Sequence, residues 1–423
     1  MESRDKSVTH APRVLRDLVY GYGRVGWSTG APLERALAMD VYLPADDGGG
    51  TLRPALVLAF GGAFHRGSKE NDSFESEAGN TAVAEYCMRF AQRGYVCASI
   101  DYRLVTEDPD PGDTPVIASR VPSSRVDVVR QIMGLPPATQ EMLRRGVEAA
   151  SDDMAAAIAF VHRNAARWRI DPERIAAGGF SAGARTALNA ALGEKARVAA
   201  VVSLSGYIDV EDLSRHLRSA DTVPAVLLIH GEHDLEYVRE GTPGMVAALR
   251  ADGTCACAMV AGAGHFYHAE ALAVLDDGTP LATVEQTMAD FLARAMPAPH
   301  AVDVAFLEAF ADAWNRHDID ALMGFMAEDC AFHASFGSEP CGTRYVGSEE
   351  VRHGFSRAWR DFPDAQWRNA RHFVTGDRGV SEWTFTGTRA ADGQRVELDG
   401  CDIFTFSRGR IQLKNSWRKT PAS

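Results

Sequence analysis

No stretch of this 423-residue chain is apolar for long enough to cross a membrane as a helix. The opening residues, MESRDKSVTHAPRVLRD, contain no apolar h-region, so a secretory signal is not expected. Positive charge is in deficit. Lys and Arg number 44 against 57 Asp and Glu, a formal charge of −13. Residues 301–423 hold 18 acidic and 15 basic residues and account for −3, which leaves −10 for the first 300. Neither part has a basic footprint, which argues against nucleic acid or an anionic membrane as the main partner. Cysteine is sparse and odd in number: Cys87, Cys97, Cys255, Cys257, Cys330, Cys341 and Cys401 are scattered and make no disulfide framework. Cys255 and Cys257 form C-x-C inside an apolar stretch. Alternate residues of a strand point to opposite faces, so the pair reads as core and not as a metal site. A reducing cytoplasm is the expected compartment.

What is present is an ordinary globular balance, 46% hydrophobic and 24% charged, at a length that suggests two domains or more. Up to about residue 295, short apolar runs alternate with longer helical stretches. Strands are predicted at Ala38–Leu43, Ala55–Phe60, Tyr95–Ile100, Arg174–Gly179, Val198–Leu204, Pro224–His230 and Ala256–Ala261. Runs such as ALVLAF and PAVLLI are apolar on both faces, as buried parallel strands are. Helices are predicted at Asn80–Arg93, Ser151–Trp168, Ala182–Leu192, Pro243–Ala251 and Val284–Ala295, with Ser151-Asp152-Asp153 read as a helix start. This alternation implies an α/β fold with a doubly wound, mostly parallel sheet over residues 1–295. Residues 104–148 interrupt the rhythm with a long loop and two short helical stretches, Arg125–Met133 and Ala138–Arg145. An insertion leaving the C-terminal end of a strand reads as a lid or substrate-binding element, the alternative being a surface excursion with no chemical role.

AMPAPHA (295–301) is a Pro/Ala linker, and the pattern then changes. Helices Val302–Arg316 and Ile319–Ala327 come first. A strand at Ala331–Phe336, a helix at Ser348–Phe362 and four strands follow: Gln366–Phe373, Gly379–Thr386, Arg395–Phe406 and Arg410–Arg418. Helices first and a curled antiparallel sheet after predict a second domain, 302–423, shaped as an α+β cone.

The chemistry is signalled by Gly179-Phe180-Ser181-Ala182-Gly183, a G-x-S-x-G between the strand-like RIAAGG and the helix-like ARTALNAAL. A strand–turn–helix bends sharply at the serine, exposes its hydroxyl and aims helix N-terminal amides at a developing oxyanion. A second donor is expected from Phe60-Gly61-Gly62-Ala63-Phe64 at the end of ALVLAF. The candidate oxyanion amides are thus those of Gly62, Ala63 and Ala182. A serine needs a base, and the base needs an orienting acid, in the chain order Ser, Asp/Glu, His. PAVLLIHGEHDLEYV supplies Asp234 after one strand, and AMVAGAGHFYH supplies His265 after the next. Glu232, His233 and His268 are the nearby competitors, while histidines elsewhere, such as His162, read as surface or core.

These residues resemble the α/β-hydrolase esterases of the carboxylesterase and hormone-sensitive-lipase-like group. The resemblance spans roughly residues 35–295 through FGGAFHRGSK, GYVCASIDYRL, IDPERIAAGGFSAGA, IHGEHD and GAGH, in that order. It implies hydrolysis of small-molecule carboxylic esters through an acyl-enzyme on Ser181, with no metal and no organic cofactor. Phe60 departs from the group, which usually has His before the glycine pair. Asp101-Tyr102-Arg103 matches a stretch that is usually structural.

The second domain resembles the SnoaL-like members of the nuclear transport factor 2 superfamily, through FADAWNRHDIDALMGFMAEDCAF, YVGSEEV and LDGCDIFTFSRGRI. The resemblance places Asp402 where several of the enzymes carry an acidic pocket residue, with His333, Trp314, Trp359 and Trp383 as cone-lining candidates, although core or rim packing is the favoured reading of each. It also implies a homodimer through the sheet face. The same Ser–Asp–His set would serve an acyltransferase, lactonase or peptidase. A bifunctional enzyme, with the second domain acting as isomerase or cyclase, is a further alternative. A binding protein with a relic hydrolase fold is the non-enzymatic one.

Overall fold

The computed structural model describes residues 11–45, 52–72, 79–219, 222–253, 255–277, 281–298, 302–407 and 409–419. The last residues of the AMPAPHA linker, 299–301, lie outside this set. The chain divides into two compact units, Met1–Pro297 and Ala298–Ser423. Among the described residues no helix is long and apolar enough to cross a membrane.

The first unit begins with β1 (Arg13–Val25), β2 (Leu33–Leu43), β3 (Arg53–Ala59), α1 (Val83–Gln92) and β4 (Val96–Ile100). It continues with α2 (Ser124–Ile132), α3 (Gln140–Arg163), α4 (Ala165–Trp168), β5 (Ile170–Phe180), α5 (Ala182–Leu188), β6 (Ala200–Leu204) and α6 (Val210–Arg218). It ends with β7 (Ala225–Gly231), α7 (Glu236–Asp252), β8 (Cys255–Val260), β9 (Leu272–Leu275), β10 (Ala282–Thr283) and α8 (Val284–Ala295). The ten strands form one sheet in the order β1-β2-β4-β3-β5-β6-β7-β8-β9-β10. Its centre, from β4 through β8, is parallel, and both flanks are antiparallel. The strand order reverses after β3, so the crevice at the C-terminal ends of β3 and β5 is a topological switch point, where such sheets bind ligands. The central strands are apolar on both faces because helices cover both sides. Leu56, Val57, Ala176, Val201, Val202, Val226 and Leu227 are fully buried.

Several elements differ from the pattern reading. β1 was not predicted, because its glycines and alternating exposure make it an edge strand with little apolar signal. Ser151 does not start a helix. It lies in the middle of the continuous α3, fully buried, with its hydroxyl donating back to the Val147 carbonyl (2.8 Å). That bond satisfies the hydroxyl within the helix, so a cap-like triplet sits there without a cap. The short elements α6, β9 and β10 also escaped the periodicity.

A buried ion-pair cluster fixes α3 to the segment after β4. The Arg103 guanidinium meets Asp153 at 2.8 Å, pairs with Asp110, and donates to the Ala149 carbonyl (3.2 Å). The Arg103 amide also donates to Asp153 (2.8 Å). Asp153→Ala would leave the guanidinium buried with one acid fewer. A loss of roughly 3–5 kcal/mol of unfolding free energy is expected, to be read by urea titration.

The second unit consists of α9 (Val304–Asn315), α10 (Ile319–Phe325), β11 (Met326–His333), β12 (Arg344–Val346), α11 (Ser348–Asp361), β13 (Gln366–Thr375), β14 (Arg378–Thr388), β15 (Arg395–Ser407) and β16 (Arg410–Arg418). Its six-stranded sheet runs β12-β11-β16-β15-β14-β13, with only β11 and β16 parallel. The predicted helix Ile319–Ala327 is two residues too long and the next strand starts five residues earlier than Ala331, since Met326 already pairs with Ile411. An aromatic core of Phe310, Trp314, Phe332, Phe355, Phe404 and Phe406 fills the unit.

Candidate active site

The site forms where β5 passes directly into α5. Ser181 is the single residue between them, at φ 52° and ψ −112°, a conformation costly for a residue with a Cβ. The flanking glycines are required by close approach. A Cβ on Gly183 would overlap the backbone carbonyls of Ala59 and Phe60, and one on Gly179 would strike Ala59 and Gly183. Helix α5 is thereby pressed against the end of β3, and the serine hydroxyl is left at the sheet edge.

Asp234 lies in the turn after β7, and His265 in the loop after β8. The His265 Nε2 is 2.8 Å from Ser181 Oγ, and its Nδ1 is 2.6 Å from Asp234 Oδ1. The histidine and aspartate are buried, at 8% and 4% exposure. Asp234 accepts three further hydrogen bonds, from Ser205 Oγ (2.6 Å), the Leu235 amide (2.7 Å) and the Gly231 amide (3.1 Å). Burial pushes its pKa up. The His265 contact, the Ser205 hydroxyl and the Leu235 amide outweigh that and hold the carboxyl below the ordinary range. The competitors lie elsewhere: Glu232, His233 and His268 are exposed, and Glu232 accepts from the Gly262 amide. His162, on the exposed surface of α3, meets the Arg197 carbonyl.

Ser205 has no counterpart in the sequence reading. It directly follows β6, has φ 52°, and its oxygen lies 3.1 Å from the Tyr267 hydroxyl, which donates to the Ile229 carbonyl (3.0 Å). Its only sequence signal is its place at the C-terminal end of a predicted parallel strand. Losing a hydrogen bond to a charged acceptor corresponds to roughly tenfold in rate. Ser205→Ala is thus expected to lower kcat about tenfold with KM little changed.

The loop after β3 turns on consecutive residues of positive φ, Gly62 (130°), Ala63 (54°) and Phe64 (59°). Among the described residues neither the Gly62 nor the Ala63 amide meets a backbone carbonyl, and Ala182 opens α5, where first-turn amides lack intrahelical partners. Ala63 and Ala182 line the same small cleft as Ser181, about 40 Å³ in volume. Gly62 does not line it. Its carbonyl accepts the His65 and Arg66 amides, while its own N–H is left without a backbone acceptor among the described residues, and a Cβ there would overlap the Arg66 carbonyl. Asp72 accepts the Gly61 amide (2.9 Å) and the Val83 amide (3.0 Å). Burial pushes the Asp72 carboxyl up to about 6. Phe60, at the position of the usual histidine, stacks on Tyr102 (4.3 Å between centroids), whose hydroxyl donates to the Phe60 carbonyl (2.9 Å).

The opposite wall comes from the segment before and within α2 and α3: Val121, Pro122, Arg125, Val126 and Leu143 face the cleft. This wall is tied to the amide-bearing loop. Arg130 of α2 donates to His65 Nε2 (3.0 Å), which assigns the proton to Nδ1, and that nitrogen donates to the Ala63 carbonyl (2.7 Å). Burial, with Arg130 adding to it, holds His65 below the ordinary imidazole range despite the Ala63 carbonyl.

In the second unit Asp402 is buried and fully engaged. It accepts Lys414 Nζ (2.7 Å), the Ser416 hydroxyl and Trp383 Nε1 (3.0 Å). Lys414 in turn lies over the rings of Trp314 (5.5 Å) and Phe332 (5.0 Å), and Trp359 packs against Trp314. His333 is not part of this network. It follows Phe332 on β11, and successive strand residues face opposite sides. The residues that join Asp402 are thus Lys414 and Ser416, which were not predicted. They lie on β16 opposite Asp402's strand, a pairing that sequence spacing does not reveal. Among the described residues no group of His, Cys, Asp and Glu is arranged to hold a metal ion. Cys255 and Cys257 are buried in β8, and burial raises their thiols to about 12 and about 11.

The first unit is similar to α/β-hydrolase-like esterase domains and the second to SnoaL-like domains. The family model BD-FAE matches residues 39–115 and 143–240, and the SnoaL-like domain model matches 307–413. Among solved structures, the butyrate-bound esterase Est2 of Thermogutta terrifontis is 19% identical, with a TM-score of 0.41, covering 68% of this chain and 93% of its own. The same organism's esterase 2 phosphorylated by paraoxon is 19% identical at a TM-score of 0.41, covering 62% and 87%. A protein of Xanthomonas campestris pv. campestris described as a polyketide cyclase is 24% identical at a TM-score of 0.25, covering 27% of this chain and 87% of its own. No curated protein matches the chain.

Proposed function

We propose that the first unit is a serine hydrolase that cleaves carboxylic esters of small molecules through an acyl-enzyme. The observation that carries this reading is the unbroken chain from Ser181 Oγ to His265 (2.8 Å) to Asp234 (2.6 Å) at the edge of the sheet. Ser181 attacks the ester carbonyl while His265 Nε2 takes its proton. Asp234 holds the ring by Nδ1 and stabilises its charged form. The amides of Gly62, Ala63 and Ala182 receive the oxyanion; Ala63 and Ala182 line the cleft beside Ser181. The alcohol leaves with the proton from His265. Water, deprotonated by the same histidine, then attacks the acyl-enzyme and releases the acid.

The cleft argues for small acyl groups. Its volume of about 40 Å³ and its apolar wall of Val121, Pro122, Val126 and Leu143 suit a short chain. Residues 104–148 shape that wall and so act as the substrate-selecting insertion. A panel of p-nitrophenyl esters of rising chain length, with a fluorophosphonate label in parallel, tests the reading. Turnover should be highest for short acyl chains and the label should fall on Ser181. A protein that neither hydrolyses any member nor takes the label is not a serine hydrolase.

A further inference from the structure

We infer that the ester taken by this site carries a carboxylate, held by the guanidinium of Arg185; the inference rests on the serine-hydrolase reading above. Arg185 sits one turn beyond Ser181 on α5, so its Cα lies about 6 Å along the helix axis from the serine. It lines the same cleft as Ser181, Ala63 and Ala182, and its exposure is 6%. Its Nε and Nη2 are buried without a hydrogen-bond partner. Among the described residues no carboxylate forms an ion pair with it.

That state is exceptional within this molecule. The other deeply buried arginines are satisfied: Arg103 by Asp153 and Asp110, and Arg130 by His65 and the Pro136 carbonyl. The acids nearest in effect are already committed. Asp212 accepts the Ala118 amide and the Ser119 hydroxyl and meets Arg215, while Asp209 caps α6 and accepts the Tyr207 hydroxyl. Burial lowers the pKa of Arg185 despite these acids, as expected of a cation removed from water without a counter-ion.

A buried, unpaired charge is strongly unfavourable, and a planar donor fork fits a carboxylate in two parallel hydrogen bonds. The missing partner therefore belongs to what enters the cleft. Tyr207 and Tyr237 line the same cleft as the guanidinium. The anionic group would sit only a few bonds from the scissile carbonyl, as in a half-ester of a short dicarboxylic acid or an ester of a short hydroxy acid.

Two pairs of near-isosteric esters distinguish the side that carries the charge. The mono-p-nitrophenyl ester of glutarate against p-nitrophenyl pentanoate probes the acyl side. Butyryl 3-hydroxybenzoate against phenyl butyrate probes the alcohol side. One charged ester should exceed its neutral counterpart in kcat/KM by roughly 10–100-fold, the size of a charge-assisted hydrogen-bonded contact. Arg185→Met should collapse that ratio, and Arg185→Lys should retain part of it. Free glutarate should inhibit hydrolysis of the neutral ester competitively, and more weakly in the Met variant. If wild type prefers neither charged ester, or Arg185→Met leaves the ratio unchanged, the inference is overturned while ester hydrolysis stands. If wild type turns over no ester and takes no fluorophosphonate label, both fall together.

Discussion

Replacing Ser181 by alanine is expected to lower kcat/KM for p-nitrophenyl butyrate on the order of 10³-fold or more. The Oγ is the nucleophilic atom that lies within hydrogen-bond reach of His265 Nε2 at the sheet edge. Without it, His265, Asp234 and the Gly62, Ala63 and Ala182 amides can act only on water. The variant should fold like wild type, because alanine also has a Cβ and meets the same strained φ and ψ. Urea unfolding beside the kinetic assay checks this. Retained turnover in a folded Ser181→Ala protein would refute the nucleophile assignment.

Asp234→Asn should have an effect of similar or greater size, on the order of 10⁴-fold in kcat, by analogy with other Ser–His–Asp sites. The carboxylate accepts from four donors, the His265 ring, the Ser205 hydroxyl and the Gly231 and Leu235 amides. An asparagine amide has one accepting oxygen. Its NH2 group would face one of those donors or force His265 into the other tautomer, with the proton on Nε2 facing the serine. The substitution also removes a stabilising ionisation. The Asp234 pKa is depressed on folding, so its contribution is fully present above the unfolded carboxyl range and is lost as the pH falls through the lower folded value. Wild type and Asp234→Asn should therefore differ most in unfolding free energy at neutral pH and converge in acid. Near-wild-type kcat in the variant would remove Asp234 from the mechanism.

Much of the first unit was legible because buried parallel strands advertise themselves. ALVLAF and PAVLLI became the core of β3 and β7, and the residues following parallel strands stand at the edge where ligands bind. Ser181, Asp234 and His265 are 53 and 31 residues apart in sequence, yet strand order alone brought them to hydrogen-bond distance. Side-chain environment was not legible. Arg185 reads in sequence as an ordinary helical arginine, and only burial sets it apart. Ser205 and the Lys414–Asp402 pair depend on which strands become neighbours. Ser151 shows the converse, a cap signature absorbed into a long helix by tertiary packing. Gly62 was placed among the oxyanion donors because glycine permits close approach, and its positive φ also serves a tight turn that closes on Arg66.

The histidine clamped between Arg130 and the Ala63 carbonyl makes the insertion and the loop a single mechanical piece. Selectivity and rate are accordingly not modular in this protein. A graft that exchanged residues 116–143 for a roomier segment would also withdraw the donor that steadies His65, and the neighbouring amide would lose its aim. A redesign for bulkier esters would succeed only if it carried an arginine at the position of Arg130, or rebuilt the turn at residues 62–66 around a different brace.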